Sequence, residues 1–220
     1  MDFYWVKTTA IIRKLFTNYI WFLPNNRKKV YLTFDDGPIP EVTEWVLSEL
    51  KKHHAKASFF CLGKNIAAYP TIFKKIIHSG HTVANHTYNH PNGWKSSTND
   101  YLQNVMDCQK TIQQQHANCI SNGLQLFRPP YGKIKPSQTK ELKKRGYKII
   151  MWDVLSGDFD TKISKEKCLE NAIQNIESGS IIVFHDSLKA YKNLQYTLPR
   201  VLEYLDKNQF SCAKIDLDSF

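Results

Sequence analysis

Two acidic residues stand side by side in Thr33-Phe34-Asp35-Asp36-Gly37. Neighbouring side chains at a strand end point to opposite sides, so one carboxylate can ligate a metal while the other faces a water. Alone, Asp-Gly-Pro is ordinary turn chemistry. The segment His86-Thr87-Tyr88-Asn89-His90 changes its weight. Two imidazoles four apart converge on one ion if the segment makes a helical turn, and Asp36 would complete a three-ligand site with a position left for water. Two His and one carboxylate suit Zn²⁺, and also Fe²⁺, Co²⁺ or Ni²⁺. The pair is weak evidence by itself, because eight histidines will often include one such spacing.

The elements that must position these residues alternate between strand and helix. Short apolar, β-branched runs at 30–34, 57–62, 81–84, 126–128, 148–152, 181–185 and 211–215 read as strands. Between them, 41–53, 69–78, 100–115, 137–145, 164–177 and 194–207 carry apolar residues at helical spacing. Ser164 suits an N-cap, although Lys167 rules out a capping box there. Alternation of this kind implies a parallel sheet. About seven β–α units with no linker predict a single-domain α/β barrel, with a doubly wound open sheet as the alternative. Asp35, Asp36, His86, His90, Arg128, Asp153, Asp158 and His185 all fall at or after the C-terminal ends of the expected strands. That edge is where active sites form in parallel α/β folds.

Four segments in order, TFDDG at 33–37, HTYNH at 86–90, RPPY at 128–131 and VFH at 183–185, resemble the successive motifs of the polysaccharide deacetylase family, the NodB-homology domain. The resemblance implies a distorted (β/α)7 barrel and metal-dependent removal of an acyl group, chiefly acetyl, from the nitrogen of an amino sugar. It implies that Asp36, His86 and His90 bind the metal, that Asp35 is the general base and that Arg128 keeps Asp35 charged and oriented. It also implies that Tyr131 lends a backbone N–H to the oxyanion, that His185 is the general acid and that Asp158 orients His185. These roles are chemically coherent. A metal lowers the pKa of bound water to about 7, a base accepts its proton, an N–H donor stabilises the oxyanion, and a poor amine leaving group needs a proton. Two positions depart from the family pattern. Phe159 follows Asp158 where tryptophan is usual, and Val183 stands where leucine is usual, so the pocket wall changes while every reacting group remains.

Trp94 could stack on a sugar ring or simply pack its loop. Asp153 reads as structural, Asp186 as a supporting group or a helix cap, and Trp45 and Trp152 as core. His53, His54, His78, His81 and His116 read as surface or satisfied histidines. The five cysteines lack a C-x-x-C and are odd in number, so buried thiols are expected rather than a disulfide framework.

The chain has 220 residues, 42% of them hydrophobic, enough for one domain with a sizeable core. Its formal charge of +10 comes from basic residues spread over helix-like stretches, such as Lys51 and Lys52, Lys74 and Lys75, and Lys143 to Arg145. Solvated helix faces explain most of it, and nothing marks a specific nucleic-acid reader. Contact with a membrane periphery or an anionic polymer stays open. Residues 1–28 are expected to form an N-terminal amphipathic segment packed on or near the barrel of residues 29–220. Within that segment Ile12, Phe16, Tyr19 and Leu23 fall at helical spacing. Lys7, Arg13 and Lys14 break up any signal-peptide or membrane-spanning run, which favours a cytoplasmic or membrane-peripheral setting. The expected partner is an N-acetylated glycan. The competing readings are a hydrolase of another C–N bond, such as a cyclic imide, a formamide or a small amide, and a non-catalytic glycan or polyanion binder. Oligomeric state is not legible.

Overall fold

A computed structural model describes residues 4–25, 27–115 and 125–220. Its strands in chain order are β1 (Lys29–Asp35), β2 (Ala57–Cys61), β3 (Thr82–Asn85), β4 (Gln125–Phe127), β5 (Tyr147–Ile149), β6 (Val154–Leu155), β7 (Ile181–His185) and β8 (Ser211–Cys212). The helices are α1 (Ala10–Leu15), α2 (Val42–Lys52), α3 (Gly63–Ala68), α4 (Pro70–His78), α5 (Thr98–Gln115), α6 (Pro136–Lys144), α7 (Lys165–Ile173) and α8 (Tyr191–Lys207). Seven strands run in the order β5-β4-β3-β2-β1-β7-β6, every described pairing among them parallel, and β8 pairs with the start of β1. This is the expected distorted (β/α)7 barrel, with β1 between β2 and β7.

Alternation along β1 sorts its side chains. Val30, Leu32 and Phe34 face the helices, where Phe34 stacks on Phe59 and Phe184 with ring centroids 5.0 and 5.8 Å apart. Tyr31 belongs instead to an inner cluster with Phe60, Leu126, Ile150 and Ile181. Thr33 and Asp35 share its face by the two-residue repeat. Strands buried on both faces read as near-continuous apolar runs, and β2 and β7 do so. The thiols of Cys61, Cys108 and Cys168 are buried as expected, while Cys119 and His116 lie outside the described residues.

The N-terminal segment departs from expectation. Its helix ends at Leu15 and buries none of its residues, so Phe16, Tyr19 and Leu23 do not extend a helical stripe. The chain instead runs along the two outer strands of the barrel. Lys7 bridges Val154 in antiparallel sense and Ile20 bridges Ile150. The N–H of Leu155 donates to the carbonyl of Val6 at 2.8 Å, and that of Met151 to the carbonyl of Ile20 at 2.7 Å. Both edges of an open sheet carry unpaired backbone groups, and residues 6–20 cover them. Asp153 holds this strap. Fully buried, it receives Lys7 Nζ at 2.6 Å and Ser180 Oγ at 2.7 Å, with Arg13 at 3.6 Å. Its role is structural, as expected. Other elements differ in extent. α3 and β6 were not foreseen, the strand expected over 148–152 stops at Ile149, the one expected over 211–215 shrinks to β8 outside the seven, and α7 ends four residues short of Glu177. Trp45 and Trp152 pack against the core while staying half-buried.

Candidate active site

Asp35 is the last residue of β1 and the register partner of His185, the last of β7. Arg128 follows β4 and is fully buried inside the barrel. Its Nη1 donates to Asp35 Oδ1 at 2.7 Å and to Thr33 Oγ1 at 2.8 Å, while Nη2 and Nε donate to the carbonyls of Met151 and Ile150. The guanidinium also lies over the Phe60 ring, 4.0 Å from its centroid. Burial pushes the Arg128 pKa down, and the adjacent Asp35 charge opposes that shift. The pair fixes one oxygen of Asp35. No hydrogen bond among the described residues engages Oδ2, which is left to accept a proton.

Asp36 sits in the left-handed region, with φ at 81°. Only surrounding contacts hold a non-glycine residue there. Asn65 Nδ2, from the unforeseen α3, donates to the Asp36 carbonyl at 2.7 Å. The next N–H, that of Gly37, donates to Asp186 Oδ1 at 3.0 Å, and Thr43 Oγ1 donates to Asp186 Oδ2 at 2.6 Å. Asp186 is therefore a buried brace for the Asp36 turn. A Cβ on Gly37 would lie 2.0 Å from Asp186 Oδ2. Gly37→Ala should cost about 1–3 kcal/mol, the usual range for overpacking a tight site. Urea unfolding would read the loss, and an unchanged midpoint would contradict the brace.

His86 and His90 converge on Asp36, but not through a helical turn. Residues 86–90 form an irregular loop in which Thr87 and His90 take positive φ, 69° and 62°. Asn85 Oδ1 accepts the Thr87 N–H, Thr87 Oγ1 accepts the His90 N–H, and Asn104 Oδ1 accepts those of Tyr88 and Asn89. Asp36 Oδ1 lies 3.3 Å from His90 Nε2 and 3.8 Å from His86 Nε2. The three ligand atoms fall within 4.8 Å of one another. His86 Nδ1 donates to the Arg128 carbonyl at 2.8 Å, which turns the Nε2 lone pair toward Asp36. Burial, with His90 nearby, pushes His86 down to about 3, and burial lowers His90 too, so both rings are neutral. Asp36 Oδ1 is buried without a hydrogen-bond partner. An anionic oxygen with no donor, facing two imidazole lone pairs, fits a cation and little else.

On the other side, Asp158 is fully buried and holds His185 twice. Its Oδ1 lies 2.8 Å from His185 Nδ1, and its Oδ2 accepts the His185 backbone N–H at 2.7 Å. Burial alone would lower the His185 pKa. The charge and hydrogen bond of Asp158, with help from Asp36 and Asp35, prevail and raise it to about 9. The imidazolium therefore carries a proton on Nε2 at neutral pH. Phe159 packs edge-on against His185, with centroids 4.9 Å apart. Tyr131, itself at φ 59°, lays its exposed ring against His90 at 4.5 Å. Trp94 is 60% exposed and its Nε1 donates to the Ile134 carbonyl, so it is anchored in its loop with a face open to solvent.

Besides Thr43, Asn65, Asn85 and Asn104, two more supporting residues escaped the sequence. Thr33 shares Arg128 with Asp35. Tyr4, in the N-terminal strap, packs on Phe159 at 5.3 Å and donates its hydroxyl to Asp160 Oδ2 at 3.1 Å. The position of Thr33, two before Asp35 on one strand face, was a usable signal. Nothing local connects residue 4 to residue 159.

The barrel and the groups gathered at one rim define a hydrolase. Residues 23–150 match the family model described as polysaccharide deacetylase. A peptidoglycan-N-acetylglucosamine deacetylase of Bacillus cereus is 31% identical over 196 residues, 88% of this chain and 90% of that protein. A second protein of the same name from that organism is 34% identical over 169 residues, and there the chain spans 60% of the relative's length. A chitooligosaccharide deacetylase of Azorhizobium caulinodans is 31% identical over 74% of this chain and 76% of its own. The crystal structure of the Bc1960 peptidoglycan N-acetylglucosamine deacetylase superposes with a TM-score of 0.83 at 29% identity, covering 94% of this chain and 95% of that one. This chain belongs to the polysaccharide deacetylase family, hydrolases of carbon–nitrogen bonds other than peptide bonds.

Proposed function

We propose that the chain hydrolyses the N-acetyl amide of N-acetylglucosamine units in a glycan of the peptidoglycan or chitooligosaccharide type. A divalent ion, Zn²⁺ ahead of Fe²⁺, Co²⁺ or Ni²⁺, would be held by Asp36, His86 and His90. When bound, it supplies a water of lowered pKa and polarises the acyl oxygen. Asp35 Oδ2 takes the proton as the water oxygen attacks the carbonyl carbon. The backbone N–H of Tyr131 donates to the oxygen that becomes negative. His185 Nε2 then gives its proton to the amide nitrogen as the C–N bond breaks, leaving acetate and a free amine. Arg128 and Asp158 touch neither reactant; one orients the base and the other the acid.

The observation that carries this reading is the pairing of Asp35 with His185 across adjacent strand ends, beside the Asp36–His86–His90 cluster. The test is acetate release from N-acetylated chitooligosaccharides and peptidoglycan fragments, set beside a panel of cyclic imides and small amides. Turnover confined to the small amides would replace this substrate class with another. A second check needs no turnover. Zn²⁺ at a hundredfold excess over its dissociation constant should add about 2.7 kcal/mol of stability. Thermal melting would show that gain, and His86→Ala should abolish it.

A further inference from the structure

We propose that α1 and the residues around it dock on an anionic lipid surface, with the catalytic rim facing away from it. α1 buries none of its residues. Ile11 and Leu15, one turn apart on the same side, are 69% and 70% exposed, and Phe16 next to them is 49% exposed. Beside the helix lies a groove of about 430 Å³, lined by Arg13, Lys14, Tyr19, Trp21 and Phe22 among others. Aromatic side chains with a polar edge, mixed with basic ones, are what the headgroup layer accepts.

Charge selects the occupant. Residues 4–28 contain no Asp or Glu, and while Lys7 and Arg13 are paired with Asp153 and Glu177, Lys14, Arg27 and Lys28 have no ion pair among the described residues, within a chain of net charge +10. Lys143 joins them from α6, its Nζ donating to Asn18 Oδ1 at 2.8 Å. A second copy of the chain would bring the same positive field and be repelled. An anionic bilayer offers both an apolar interior and a negative surface.

The fold sets the orientation. The segment is tied at the starting ends of β6 and β7, through Lys7 and Arg13 to Asp153 and Glu177 and through Phe22 to Ser180. His185 lies at the other end of β7, roughly 15 Å away at the rise of a strand. The active site therefore opens opposite the docking face, toward a polymer outside the lipid layer. Only this last step rests on the deacetylase reading; the docking itself does not.

Co-sedimentation of the full chain with vesicles tests it. Vesicles of phosphatidylcholine and phosphatidylglycerol should bind the protein, and phosphatidylcholine alone should bind it at least tenfold more weakly. Raising salt to about 1 M, where the Debye length is about 3 Å, should weaken binding further. Ile11→Ser/Leu15→Ser/Phe16→Ser should lose binding by tenfold or more, with the thermal midpoint unchanged. Lys14→Gln should weaken it about fivefold. Equal binding of the triple variant, or no binding to the anionic vesicles, would overturn the proposal. So would soluble polyphosphate binding as tightly as vesicles. A concentration-dependent dimer abolished by the triple substitution would also overturn it, because it assigns the face to a second copy.

Discussion

Asp35→Asn is expected to lower acetate release by about 10²–10⁴-fold, the range that a positioned proton acceptor supplies. Asparagine has the same shape and keeps an oxygen for Arg128 Nη1, so the loss reports basicity rather than space. The substitution has a second consequence. Arg128 is fully buried, and its remaining acceptors, Thr33 Oγ1 and the carbonyls of Ile150 and Met151, are all neutral. Removing the Asp35 charge leaves a cation in the barrel without a counter-ion. Breaking a buried pair commonly costs about 3–5 kcal/mol, and the retained hydrogen bond should hold this case to the lower part of that range. Urea unfolding separates the two effects, provided turnover is measured where the variant is folded. A variant that kept activity within about twofold of the parent would remove Asp35 from the proton path.

The proposed reacting groups were legible because their chemistry is local to short segments. Two acids ending an apolar run, paired histidines after another and a lone histidine ending a third are visible without a fold. The parallel order of the strands then brought them to one rim. Geometry inside loops was not legible. The four-residue spacing of His86 and His90 suggested a helical turn, yet the convergence depends on left-handed backbone at Thr87 and His90 that side chains of Asn85 and Asn104 hold in place. Those partners carry no signal of their own. The N-terminal spacing misled in a related way. Ile12, Phe16, Tyr19 and Leu23 fit a helix by period, but Ile20 and Phe22 gain more by pairing with the barrel, so tertiary pairing overrode a weak local preference. The same competition shortened the strand expected over 148–152, where Met151 donates its N–H to Ile20. Tyr4 illustrates the limit. Tyr4 and Phe159 lie more than half the chain apart, and only the completed fold brings them together.

Asp158→Asn should draw the alkaline limb of activity toward acid. His185 has its pKa raised to about 9 against its ordinary 6.5, with burial pulling the other way. The sign follows from that. The cation is favoured in the folded protein, so its contribution to stability is complete below about 6.5 and disappears as pH rises through about 9. Activity that needs the imidazolium should fall over the same upper range. Asp158 is the largest of the raising influences, and Asp35 and Asp36 contribute less. A cation bound at Asp36 would offset part of the smaller share and leave the Asp158 share in place. Without the Asp158 charge, burial becomes the dominant influence and the ring loses its proton near or below neutrality. At pH 8 the variant should therefore lose about tenfold or more in turnover, in the direction of the larger loss expected for removing the acid altogether with His185→Ala. It should recover in part as the pH is lowered, which His185→Ala cannot do. Asparagine can still accept from the backbone N–H of His185, so the strand end should stay in position. A pH–rate profile together with an NMR titration of His185 checks both parts. An unmoved alkaline limb in Asp158→Asn would mean that some group other than His185 protonates the departing amine.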